Sequence, residues 1–462
     1  MSSLGMIMAP EVWKATGAVR AARLYLRYHV NAHSITDLNN NAIGMGIFSA
    51  ASYLNHSCLP TCSYTFGGAG GSGGCNMTMR TVRAVKAGEE LTHNYVDLYA
   101  PSWVRRGQLR GRYFFDPTAE GRHAPAAQAA EDKVIAGVKC LRCGKGQLDY
   151  PEKARARAGP QRKNHHLTAD GENSDAANVH KDEDNKDKKD VADPEAAKPE
   201  AAAAAETANP EAEAEVVAAA EPVTDATLLT CAACGDRSVT VGAVDALVES
   251  VQTRLHEGLA LYAHGKNEAA RAVLEGDVVS MTTLPAYINT SSNSSGSDVA
   301  VIKTAPRGSD GAPCKTVAGL VPFHYVVFNA YTALVQLARA ARDFKAVGKW
   351  ATMALMALKQ VGMADYPAAA NAQAAVGDAD AVAGGVPEVV VNEGRADAAT
   401  LAACTGAGAA RTPESERKRK SAAEAWRKAA AVYVNCYGDK SPLTIAMKAK
   451  VTAMDKIIAA WV

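Results

Sequence analysis

Apolar residues in the second half of the chain return every three or four positions. Val244, Leu247, Val248, Val251, Leu255, Leu259 and Tyr262 form one such stripe, the period of a helix with one buried face. His264-Gly265-Lys266 predicts a turn, and NEAARAVLEG a second, shorter helix. HYVVFNAYTALVQLARAARD, FKAVGKWATMALMALKQVG, AEAWRKAAAVYVNCYG and SPLTIAMKAKVTAMDKIIAAWV predict four more. The last opens on Ser441-Pro442, an N-cap followed by a first-turn proline. The first 116 residues read differently. IFSAASYL, CSYTF and MTMRTVRAV have strand-like content, and GGAGGSGG (67–74) predicts a flexible hairpin tip or insertion. Between the two regimes, residues 151–227 carry HKDEDNKDKKD and a Pro/Glu/Ala tract. No periodicity there could bury enough apolar area to offset ordering entropy, so disorder is expected. Polar or Ala/Gly-rich stretches near 285–313 and 367–418 are expected to be flexible surface insertions. The remaining helix–turn–helix pairs predict a tetratricopeptide-like array over 241–462, with an irregular helical bundle as the alternative.

A length of 462 residues suggests two to four domains. Fifty basic and 49 acidic residues leave a net charge of +1. That balance argues against direct nucleic-acid binding and against a membrane-surface protein. No apolar run reaches membrane-spanning length, and the opening MSSLGMIMAPEVWK is not a secretory signal. Ten cysteines include two C-x-x-C pairs, Cys140/Cys143 and Cys231/Cys234, in KCLRCGKG and LTCAACGD. Inside a cell such pairs read as metal ligands before disulfides, and four thiolates suit tetrahedral Zn2+. The long gap between the pairs is a small obstacle, because loop-closure entropy grows only logarithmically. A redox pair or free cysteines is the competing reading.

The chemistry-bearing stretch runs N31-A-H-S-I35, G44-M-G-I-F48, S52-Y-L-N-H-S-C-L-P60 and G88-E-E-L-T-H-N-Y95-V-D97. Each piece alone could be a turn or a buried strand residue. Together, in this order and spacing, they resemble the C-terminal half of a SET domain, and more narrowly the SET- and MYND-domain (SMYD-type) protein-lysine methyltransferase family. Thr61 departs from the asparagine usual there. Gly44 and Gly46 are not a dinucleotide fingerprint, since no third glycine or following helix supports one.

The resemblance implies an α+β protein: a partial SET β-fold, a Cys-rich post-SET region and an all-α, tetratricopeptide-like C-terminal domain. Its expected order is a helical remnant (1–30), the SET C-terminal half (31–116), a post-SET region with the first cysteine pair (117–150), a disordered linker (151–227), the second pair (228–240) and the helical domain (241–462). It also implies a methyl donor, S-adenosyl-L-methionine, with Asn31, Ser52, Leu54, Asn55, His56 and Phe115 on the cofactor side and Tyr95 as the catalytic tyrosine. Methyl transfer to a lysine amine needs alignment and a dry channel more than acid–base work.

Two departures weigh against a complete enzyme. Only about thirty residues precede Asn31, too few for the family's first Gly-x-Gly strand and Cys/His-rich finger, so a truncated product or a relict is expected. Phe115 is followed by Asp116-Pro117-Thr118 instead of a cysteine run, which leaves Cys58 without the usual cluster and reading as a buried small residue. Two functions therefore stand side by side. One is a methyltransferase acting on a histone or non-histone protein with a lysine-bearing tail. The other is a non-catalytic, zinc-binding scaffold whose helical half binds a peptide. The expected compartment is nucleus or cytoplasm; ERKRK (416–420) is either a weak import patch or a solvated charge run.

Overall fold

The computed structural model describes residues 17–36, 42–66, 76–117, 125–140, 142–143, 146–149, 224, 226–237, 239–282, 287–288, 301–302, 318–405 and 412–460. The expectations for 67–74 and for 151–223 lie outside these residues.

Helix α1 (Ala18–Asn31) runs directly into β1 (Ala32–Thr36), which pairs antiparallel with β2 (Ala42–Ile47). The predicted strand over IFSAASYL is corrected here. The strand stops at Ile47, and Ala51–Tyr53 forms a 3-10 turn. Both the backbone N–H and the hydroxyl of Ser52 donate to the Phe48 carbonyl, at 3.0 and 3.1 Å. That local bonding competes with a ladder and wins. Next come β3 (Asn55–His56), the antiparallel hairpin β4 (Cys62–Phe66) and β5 (Met77–Thr81), and β6 (Thr92–His93). Strand β6 pairs parallel with β3. A parallel pair requires a crossover connection, which the β4–β5 hairpin supplies.

Helix α2 (Ser102–Gln108) continues as a π-turn over Leu109–Tyr113. It ends at Phe114, which is left-handed with φ 61°. Helix α3 (Pro125–Ile135) is tied to α2 by polar groups. Fully buried Arg105 meets Glu131 at 2.5 Å, and Ser102 donates to Asp132.

Both cysteine pairs sit in one sheet. Strands β7 (Val138–Cys140), β8 (Gln147–Asp149), β9 (Leu228–Cys231) and β10 (Val239–Thr240) are antiparallel neighbours. Two-residue strands β11 (Tyr287–Ile288) and β12 (Val301–Ile302) pair within the stretch expected to be an insertion near 285–313. Strand β13 (Ala318–Leu320) returns to the cysteine sheet and pairs with β7, giving the order β10-β9-β8-β7-β13.

Thr240 caps α4 (Val241–Ala263) by accepting from the Ala243 N–H, and the predicted stripe faces inward: Val244, Leu247 and Val251 are buried. After Gly265 (φ 72°), α5 (Asn267–Val273) folds back. Helices α6 (Tyr325–Ala340) and α7 (Phe344–Gln360) follow. The expected flexible insertion at 367–418 is the second correction. It holds α8 (Pro367–Ala383), α9 (Glu388–Glu393), α10 (Ala398–Thr405) and the start of α11 (Pro413–Tyr437). Ala369, Ala370, Ala375 and Ala381 of α8 are at most 1% exposed. Alanine there permits close helix crossing, and Gly377 lies under the indole of Trp426, leaving no space for a Cβ. The final helix is α12 (Pro442–Ala459). Ser441 takes its N-cap position, but its side chain makes no capping bond. The run at 416–420 is not a solvated stripe throughout. Arg419 is buried and donates to the Gly384 carbonyl at 2.7 Å.

Among the described residues, several contacts join the strand-rich region to the helices. The Tyr99 hydroxyl donates to the Phe323 carbonyl at 2.8 Å, with its ring 4.0 Å from Phe328. Arg80 donates to the Asn435 carbonyl at 3.0 Å, and Tyr366 to that of Pro60 at 3.4 Å.

Candidate active site and metal centre

The β3–β6 pair brings two separate segments to one place. The His56 Nδ1 accepts the Tyr95 backbone N–H at 3.0 Å, and the two rings lie 5.4 Å apart. The Tyr95 hydroxyl donates to the Leu54 carbonyl at 2.6 Å. Burial, then Tyr113 and Glu90, push the Tyr95 phenol up, so it holds its proton at neutral pH. Asn55 donates to Glu90 at 2.7 Å. The Phe115 ring stands 6.2 Å from His56 and is 38% exposed. Leu54, Asn55, His56, Tyr95 and Phe115 thus share one locality. Ser52 bonds back within its own turn, and the Asn31 side chain donates to the Arg27 carbonyl of its own helix. Cys58 is fully buried in the core, with Sγ 3.3 Å from His56 Nε2.

Sequence reading missed part of this site. The Tyr113 ring lies 4.8 Å from Tyr95, and its hydroxyl donates to the Tyr95 carbonyl at 3.4 Å. Its signal is the run Arg112-Tyr-Phe-Phe115, in which the resemblance marks only the last ring. Phe114 is left-handed, a conformation that costs a non-glycine residue energy. The wall continues through His93, 4.9 Å from Tyr95, and His33, 5.2 Å from His93. Tyr64 packs edge-on against both histidines. Burial, then the neighbouring His33, pulls His93 down to about 4; burial also lowers His33. Both are neutral at pH 7 and add no charge to the wall.

The second constellation is the cysteine sheet. Hairpins β7–β8 and β9–β10 each present one pair, and β8–β9 pairing sets them face to face. All four Sγ atoms lie within 4.8 Å of one another. Cys140 to Cys234 and Cys143 to Cys231 are each 3.8 Å. Four thiolates about 2.3 Å from a tetrahedral zinc ion stand about 3.8 Å apart. Backbone N–H groups of Gly146 and Ala233 point at Cys143 and Cys231 at 3.3 and 3.4 Å. Backbone N–H groups of Cys234 and Ala233 lower the Cys231 thiol, whereas burial raises that of Cys140. Gly146 admits no Cβ, which would meet Cys231 Sγ. The arrangement can hold a metal ion.

Comparison with known proteins places the first part of the chain in a known domain family. Residues 13–96 match the SET domain family. The chain is 40% identical over 86 residues to mouse Histone-lysine N-methyltransferase SMYD3, covering 19% of each protein. It is 33% identical over 92 residues to human N-lysine methyltransferase SMYD2, covering 20% of each. A 117-residue stretch is 30% identical to human Histone-lysine N-methyltransferase SMYD1, covering 24% of this chain and 23% of that protein. The matched region spans about a fifth of the length of these relatives.

Proposed function

We propose that this chain, which carries a SET domain at residues 13–96, is an S-adenosyl-L-methionine-dependent protein-lysine N-methyltransferase. The observation that carries the reading is the convergence of Tyr95 on the Leu54-Asn55-His56 segment through two hydrogen bonds. Residues fit for the methyl donor are present. Phe115 offers a half-open ring beside His56, and the Asn55–His56 backbone runs next to it. Leu54, Asn55, His56 and Phe115 would hold the donor, whose sulfonium supplies an electrophilic methyl group when bound, whereas the side chains of Asn31 and Ser52, expected beside them, bond within their own helix and turn.

The chain's own residues would do the rest. His56 fixes the Tyr95 backbone. The Tyr95 phenol, kept protonated, lies against the Leu54 carbonyl and orients the lysine amine. Tyr113, His93 and His33 line an aromatic wall that excludes water. Water exclusion and alignment are the main needs of an in-line displacement. Cys140, Cys143, Cys231 and Cys234 would hold a structural Zn2+, closed to solvent chemistry because all four positions are protein ligands. The helical region beyond Val241 would contribute to the protein-binding face. Its substrate is a protein presenting a lysine. No helix among the described residues is long and apolar enough to cross a membrane.

The test is calorimetric titration with S-adenosyl-L-methionine alongside methyl transfer to a lysine peptide mixture. Tyr95→Phe should keep donor binding and lose turnover by about a hundredfold or more, the scale of an oriented catalytic group. Absence of donor binding in the folded full chain overturns the proposal.

A further inference from the structure

Helix α1 is unusually bare. Of its fourteen residues only Ala21 is buried, while Leu24, Tyr25, Leu26 and Tyr28 are 38–55% exposed. An isolated helix of this length is marginal in water and takes its stability from a packed face. Arg20, Arg23 and Arg27 are all exposed, and their spacing sets them on one side. The helix contains no acidic residue, and among the described residues no carboxylate pairs with these three arginines. Leu24 and Tyr28 border that stripe.

The C-terminal end of α1 is tied to the candidate active site by one side chain. Arg112 donates twice to the His29 carbonyl near the C-terminus of α1, at 3.0 and 2.6 Å. The next residue, Tyr113, packs on Tyr95. Arg106 and Arg110 from the same turn share a single carboxylate, Asp116. Arg112 thus links the C-terminal end of α1 to Tyr113 beside Tyr95, and Arg106 and Arg110 lie in the same segment as Arg112. On the strand side, Glu90 is held by Asn55 at 2.7 Å.

From this juxtaposition we infer the substrate class: a lysine flanked by acidic side chains, docked along α1 with its carboxylates on Arg20, Arg23 and Arg27. The inference rests on the lysine-methyltransferase reading. A tail rich in lysine and arginine would meet like charge here, which costs affinity and encounter rate. The unpaired arginines and the apolar residues beside them offer an acidic, amphipathic segment complementary contacts.

The experiment uses the full chain, S-adenosyl-L-methionine and two lysine peptides of equal length, one flanked by glutamates and one by arginines. The same pair is made with norleucine for lysine, so that binding is read by fluorescence anisotropy without turnover. Exposed pairs contribute modestly, so three of them predict about a tenfold preference for the acidic peptide in both kcat/KM and binding. Raising salt should shrink the preference. Arg20→Glu, Arg23→Glu and Arg27→Glu together should abolish or invert it. The milder Arg20→Gln, Arg23→Gln and Arg27→Gln variant repeats the test if the first misfolds. Equal or opposite preference in the wild type overturns the inference, as does tight binding of a DNA duplex or of anionic phosphatidylserine vesicles with no peptide preference. If neither peptide is methylated but the acidic one still binds through the arginines, the catalytic reading fails and the docking face stands.

Discussion

His93 is a core residue that should be felt in acid. Its imidazole is almost fully buried, and its Nε2 has no hydrogen-bond partner among the described residues. Its folded pKa, near 4, lies below the ordinary 6.5. Above pH 6.5 both folded and unfolded chains are neutral at this group, and its contribution is intact. As pH falls below 6.5 the unfolded chain takes up the proton first, so stability is lost, and the loss is complete below about 4. Its size is on the order of 3 kcal/mol. Urea unfolding at pH 7.5 and pH 5 should therefore show a larger loss for the wild type than for His93→Phe. His324, buried and lowered to about 3, contributes equally in both proteins. Asp378 is a second buried polar residue on which packing depends. It accepts from Trp426 at 3.0 Å and is paired with Arg339 at 2.6 Å and Lys450 at 2.8 Å. Asp378→Ala strands two cations and an indole N–H, with an expected loss of about 3 kcal/mol read as a lower Tm. The residues legible from sequence were those in fixed-order motifs, such as Asn55, His56 and Tyr95. Tyr113, His33 and His93 were not, because a ring brought in by tertiary packing leaves no spacing signal of its own.

At the scale of elements, the cysteine sheet makes the sharpest statement. Cys140→Ser should release the metal and lower the melting temperature, and elemental analysis should find about one zinc per chain in the wild type. Gly146→Ala should reduce zinc content without removing a ligand, because its Cβ would meet the Cys231 sulfur. The C-x-x-C spacing announced the pairs, and their gap was compatible with one site. Nothing in the sequence announced that β13 would join the same sheet beside β7. Helix α8 was hidden for another physical reason. A helix packed by alanines lacks the large apolar residues whose period marks a buried face, and its long run of small residues resembles a linker until Trp426 is seen covering Gly377.

At the scale of the molecule, α+β organisation was readable from the switch in period, and the attachment of its parts was not. Tyr99, with its hydroxyl on Phe323 and its ring on Phe328, ties the strand-rich region to the helices through both a hydrogen bond and a buried ring. Tyr99→Ala should broaden or split the thermal transition seen by calorimetry, as the two regions lose their shared core.

The five-stranded sheet has one more consequence, and it concerns synthesis. Cys231 follows Cys143 by 88 positions, so at about 5–20 residues per second a ribosome needs about 4–18 s to deliver the second pair of thiols after the first. Strand β13 emerges later still. During that interval the nascent protein would carry only half of the proposed metal site, its thiols open to oxidants and foreign ions, and if the site takes zinc, zinc supply at the moment of translation would govern how much of it matures.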